Sequence, residues 1–205
     1  MLVEDIIRED ARLKKLVIMP GRFQPPHIGH MQMWKWLTDK FGECYVATSD
    51  KVDPPRSPFN FQEKKRLFMF AGVAQDKIVQ VKNPYRADEI VSQHDAESTA
   101  LLFAVSEKDM AEDPRFSFKP KKDGSPSYLQ PYKKNQADLK PLSQHGYVVT
   151  VPTFSFKVLG KPMKSATEFR SNFANADEST QAKMIQGLYG DYDEGIHQLL
   201  REKIV

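Results

Sequence analysis

Hydrophobic positions follow two rhythms along this chain. Continuous apolar runs at residues 16–19 and 146–151 read as strands. The run at 100–105, Ala-Leu-Leu-Phe-Ala-Val, is the most continuous and reads as a central parallel strand buried on both faces. Weaker strands are expected at 43–49 and 77–81. Between them the apolar residues recur at helical spacing. Residues 31–41 carry two tryptophans and no Gly or Pro, and predict a helix. Asn60 is a suitable cap for a second helix ending near Gly72, with Leu67, Phe68 and Phe70 buried and Lys64, Lys65 and Arg66 turned outward. A solvated face suits two of those three charges. A short helix is expected at 87–94. Leu2, Val3, Ile6, Ile7 and Leu13 suggest an amphipathic helix within residues 1–14.

Strands alternating with helices predict an α/β fold, a Rossmann-like parallel sheet flanked by helices. A single α/β domain over residues 1–205 accommodates the whole pattern. Two stretches fall outside the alternation. Residues 110–145 are rich in proline and lysine and poor in aliphatics, which suggests an insertion or a lid. Residues 179–205 place Met184, Ile185 and Leu188, then Ile196, Leu199, Leu200 and Ile204, on two amphipathic helices parted near Gly190. This C-terminal helical segment covers the sheet or builds a homo-oligomer interface; the pattern fits both.

Composition narrows the function. Thirty basic and 27 acidic side chains leave a formal charge of +3, too small to argue for nucleic acid as a partner. A phosphate-rich small molecule would be well tolerated. A single cysteine, Cys44, permits no intramolecular disulfide and suits a reducing, cytoplasmic setting. Neither a signal peptide nor an apolar run near 18 residues is visible, so no membrane association is expected.

The chemistry is concentrated where the first strand ends, at Gly21-Arg22-Phe23-Gln24-Pro25-Pro26-His27-Ile28-Gly29-His30. Strand, glycine-bearing turn and helix present backbone N–H groups and a helix dipole to an anion. His27 and His30 flank Gly29 and can offer donors to the same anion. No Cys, Asp or Glu lies near them in sequence to complete a metal-ligand set. Further on, Ser165-Ala166-Thr167-Glu168-Phe169-Arg170 opens a helix with the Ser-x-x-Glu capping pattern. A hydroxyl, free N–H groups and a guanidinium there would converge at a positive helix end. The 100–105 strand runs into Ser106-Glu107-Lys108-Asp109, again at a carboxyl edge where α/β sheets bind ligands.

The stretch from Gly21 to His30 resembles the signature of the nucleotidylyltransferase superfamily, a His-x-Gly-His tetrad after the first strand of a Rossmann-like sheet. Its Gly-Arg-Phe-Gln-Pro lead-in is most similar to the nicotinamide mononucleotide adenylyltransferase branch. Ser165-x-Thr167-x-x-Arg170 resembles the second signature of the superfamily. The resemblance implies transfer of a nucleotidyl group from a triphosphate, ATP favoured, to a phosphorylated acceptor such as nicotinamide mononucleotide, with Mg²⁺ and release of pyrophosphate. It assigns His30, His27 and Arg170 to catalysis. Gly21, Arg22, Phe23, Gln24, Gly29, Lys108, Asp109, Ser165 and Thr167 would bind the nucleotide. Family members commonly carry glycine where Ser106 stands. Two other readings stay open: a cytidylyltransferase using CTP and a phosphorylated alcohol, and a nucleotide-binding regulatory module without turnover.

Overall fold

The computed structural model describes residues 13–112, 116–163 and 165–205. The chain enters through β1 (Lys14–Pro20), α1 (Ile28–Phe41), β2 (Cys44–Thr48), α2 (Phe61–Phe70), β3 (Ile78–Gln80) and α3 (Asp88–Val91). It continues through β4 (Thr99–Ser106), α4 (Glu107–Glu112), β5 (Leu129–Pro131), α5 (Tyr132–Asn135) and β6 (Gly146–Val151). A hairpin of β7 (Phe156–Val158) and β8 (Lys161–Met163) follows, then α6 (Ala166–Ala174), α7 (Glu178–Tyr189) and α8 (Glu194–Ile204).

Six strands form one sheet in the order β3-β2-β1-β4-β6-β5. Every pairing in it is parallel, so all strands deliver their carboxyl ends to the same edge. The most apolar runs occupy its middle. In β4 every residue from Thr99 to Val105 is buried, as a strand covered on both faces requires. One layer packs Met33 and Leu37 of α1 and Phe68 of α2 against Val17, Met19 and Leu102. The opposite layer joins Ile18, Leu101 and Phe103 to Ile90 and Phe116.

A second core lies apart from the sheet. Phe156, Val158 and Met163 of the hairpin meet Phe169 and Phe173 of α6, Met184, Ile185 and Leu188 of α7, and Ile196, Leu199 and Leu200 of α8. Phe59 and Leu67 link it to α2. The carboxyl-terminal helices thus build a core of their own with the hairpin. Gly190 breaks them at a left-handed φ of 85°, which caps α7, while Asp177 and Asp193 cap the two amino ends.

Two expectations change. Lys64 is buried, its Nζ donating to Thr48 Oγ1 at 2.9 Å and to the Ser49 carbonyl. It clamps α2 under the end of β2, while Lys65 is half-buried and Arg66 exposed. Burial pulls its pKa down to about 8, with Asp50 opposing. Residues 110–145, expected as an insertion or lid, carry β5 and α5 among their described residues. β5 extends the sheet beside β6, and the Tyr132 ring packs edge-on against Phe41 at 5.6 Å. The helix expected within residues 1–14 falls almost wholly on residues 1–12, which lie outside the described residues, and Lys14 opens β1.

Candidate active site

At the carboxyl edge the turn after β1 is shaped by a single close approach. Phe23 adopts a left-handed backbone (φ 49°), and its ring folds back so far that a Cβ on residue 21 would meet it at 2.6 Å. Only glycine fits there. The ring packs edge-on against His30 at 4.9 Å and against Phe68 at 5.0 Å, fixing the turn to the core. Gly29 answers a second approach, because a Cβ there would stand 2.9 Å from the Phe154 carbonyl oxygen. The loop after β6 therefore lies directly on the start of α1.

His27 caps α1 and His30 occupies its third position. His30 Nδ1 accepts from the His27 backbone N–H at 3.2 Å, where a glutamate would reach back in a capping box. An accepting Nδ1 places the proton of the neutral ring on Nε2, so His30 offers an Nε2–H. The two imidazoles stack at 3.6 Å between centroids. His27 Nδ1 is buried and has no hydrogen-bond partner among the described residues. Burial, then the neighbouring His30, holds the His27 pKa well below its usual range, and burial brings His30 down to about 3. Without a ligand both rings are neutral donors at pH 7.

Across from them α6 begins. Ser165 Oγ accepts from the Glu168 N–H at 3.2 Å, leaving the first turn of the helix directed at the same space. The Arg170 guanidinium donates to the Gln24 carbonyl and, at 3.4 Å, to Thr167 Oγ1. Burial and then Arg22 lower its proton affinity, which records two like charges drawn together. It nonetheless stays charged.

These elements enclose a cavity of about 580 Å³. His27, His30, Arg170 and the nine other residues singled out from the sequence all line it. Among its lining residues are four cations, Arg22, Arg56, Lys108 and Arg170, and one carboxylate, Asp109. Two helix N-termini add partial positive charge. Such a site is built for a polyanion. Asp109 itself is engaged with Ser106, whose Oγ donates to Oδ2 at 2.8 Å. Among the described residues no group of three or more His, Cys, Asp or Glu is placed to hold a metal ion. No described helix is long and apolar enough to cross a membrane.

Gln24 plays a different part from the one expected. Its side chain pairs with the Phe59 backbone through two bonds of 2.9 Å, tying the turn after β1 to the loop after β2. It lines the cavity with its amide already committed. Sequence reasoning also missed Pro152 to Phe156, Tyr85 and Met163, which complete the wall. Only the position of 152–156 just past a strand's carboxyl end could have signalled them.

Residues 18–123, half of the chain, match the profile of the family described as Cytidylyltransferase-like. The chain belongs to that family. Proteins similar to it include nicotinamide-nucleotide adenylyltransferase 1 of Sulfolobus acidocaldarius, 42% identical over 53 residues, which are 25% of this chain and 30% of that protein. Phosphopantetheine adenylyltransferase of Aquifex aeolicus is 37% identical over 62 residues, 30% of this chain and 37% of that protein. The matched stretches thus span about a third of these relatives. A bifunctional NMN adenylyltransferase/ADP ribose pyrophosphatase from Francisella tularensis, crystallised with AMP and a manganese ion, superimposes with a TM-score of 0.50 at 17% identity. That superposition covers 93% of this chain and 48% of the other, and shows a shared fold.

Proposed function

We propose that this chain is an adenylyltransferase, joining the AMP portion of ATP to a phosphorylated acceptor and releasing pyrophosphate, with nicotinamide mononucleotide as the favoured acceptor. One observation carries the reading: the His27/His30 turn and the Ser165/Thr167/Arg170 helix start, separated by 135 residues from His30 to Ser165, face each other across one cationic cavity. The two named relatives are adenylyltransferases, which favours ATP over CTP. Gln24 carries no weight in that choice, since its amide is engaged with Phe59.

An acceptor phosphate is already anionic at neutral pH, so its oxygen attacks the α-phosphorus without a general base. The new P–O bond forms as the bond to the β-phosphate oxygen breaks, and the electron pair leaves on pyrophosphate. The site's work is to align two anions and absorb the growing charge. His30, with its proton on Nε2, serves the α-phosphate. Arg170, Thr167 and the first turn of α6 hold the β- and γ-phosphates, with His27 beside them. Mg²⁺ carried in with the nucleotide substrate would supply further neutralisation of phosphate charge.

The test is a pyrophosphate-release screen of ATP, CTP, GTP and UTP against phosphorylated acceptors. Turnover is expected with ATP and nicotinamide mononucleotide. Release confined to CTP and a polyol phosphate would replace this assignment with a cytidylyltransferase.

A further inference from the structure

His27 lies between two rings. One is His30; the other is Phe156, the first residue of β7, whose ring stacks on His27 at 4.1 Å with an interplanar angle of 19°. Phe156, His27, His30 and Phe23 thus form a continuous column, ending edge-on against Phe68 in the sheet core. The far end is anchored equally well. Phe156 is 5% exposed, pairs with Met163 across the hairpin and packs into the second core with Met184 and Leu188. With both faces of His27 covered, only the ring edge remains to meet a ligand. The same stack limits how far the His30 ring can turn.

We propose that Phe156 is a positioning residue that, by stacking on His27, holds both imidazoles edge-on to the phosphates. This rests on the nucleotidyl-transfer reading. Charged groups lining the same cavity are Arg22 and Arg56 from the loops, Lys108 and Asp109 from α4 and Arg170 from α6; against His27 itself the hairpin sets the aromatic ring. Removing the plane while keeping apolar bulk should therefore loosen the imidazoles without emptying the second core.

The experiment compares Phe156→Leu and Phe156→Tyr with the unaltered chain. Two readouts are needed: histidine ring signals by NMR in the ligand-free protein, and steady-state kinetics with MgATP and the acceptor identified by the screen. Phe156→Leu should lose the ring-current displacement of the His27 ring protons and lower kcat about 10- to 100-fold, the scale of a misplaced catalytic group, with KM for the acceptor unchanged. Phe156→Tyr should restore both readouts. Full kcat in Phe156→Leu, a loss confined to KM, or failure of tyrosine to rescue would overturn the proposal. If the unaltered chain turned over no pair, the functional reading would fall. The NMR comparison would then still decide the stack, and unchanged His27 signals in Phe156→Leu would refute it.

Discussion

At the scale of single residues, the proposed mechanism uses the two signature histidines as neutral hydrogen-bond donors. His30→Ala is expected to lower kcat by about 10²–10³ with little change in ATP affinity, because its donor meets charge that grows as the leaving bond breaks. Arg170→Ala should also raise the apparent KM for ATP, since the β- and γ-phosphates are charged before reaction. Steady-state kinetics on both variants separates the roles, and near-normal kcat in His30→Ala would sink the mechanism. The depressed pKa of His30 sets a pH dependence of stability. Its folded value of about 3 lies below the unfolded value near 6.5, so the unfolded chain takes up the proton first. Its stabilising contribution is complete above pH 6.5 and is lost as pH falls toward 3. Thermal melts between pH 7.5 and 4.5 should therefore drop more steeply for the unaltered chain than for His30→Gln. Parallel slopes would refute the buried, neutral state. That Gly29 and its two flanking histidines gather at one cavity was legible from their spacing after an apolar run. The state of Lys64 was not legible: a lysine on an amphipathic helix reads as solvated until Thr48 and Ser49 are seen over it.

At the scale of elements, α7 is tied to the site at two points. The hydroxyl of half-buried Tyr189 donates to the Pro26 carbonyl at 3.0 Å, one residue before the capping histidine. Gly187 lies against the Val158 backbone, where a Cβ would make an ordinary contact 3.6 Å from the Val158 Cα. Tyr189→Phe keeps the packing and removes the bond. It should cost about 1 kcal/mol of stability in denaturant titration and leave KM for ATP unchanged. A variant as stable as the parent would show that the bond contributes nothing. The parallel sheet was readable from its apolar runs, and the tail helices from the spacing of Leu188, Ile196 and Leu200. Three of the four three-residue strands were not readable. β5, β7 and β8 are too short to show a period, and their partners are remote in sequence or supplied by a turn at Leu159 and Gly160, both at positive φ. For the same reason the Phe154 and Phe156 contacts on α1 left no trace in the sequence pattern.

At the scale of the molecule, the sheet and the second core meet around the cavity. The sheet side supplies His27, His30 and Lys108; the second core supplies Phe156 and Arg170. Residues 129–135, built into the sheet edge, should show hydrogen exchange that ligand leaves unaltered. Residues 152–156 and 165–170 should slow when MgATP binds, and the reverse pattern would restore a lid role to the 110–145 segment. The division into two cores also has a calorimetric consequence. A chain whose halves adjoin along a ligand-sized gap has less holding them together when the gap is filled only by solvent. The free protein should melt in two overlapping heat-absorption peaks, the helical half first, with a van't Hoff enthalpy below the calorimetric one. MgATP, gripping both halves at once, should merge the peaks and raise the lower one most. One symmetric peak in the free protein would mean that the halves are already welded. Two peaks merging would mean that the nucleotide is also a structural rivet.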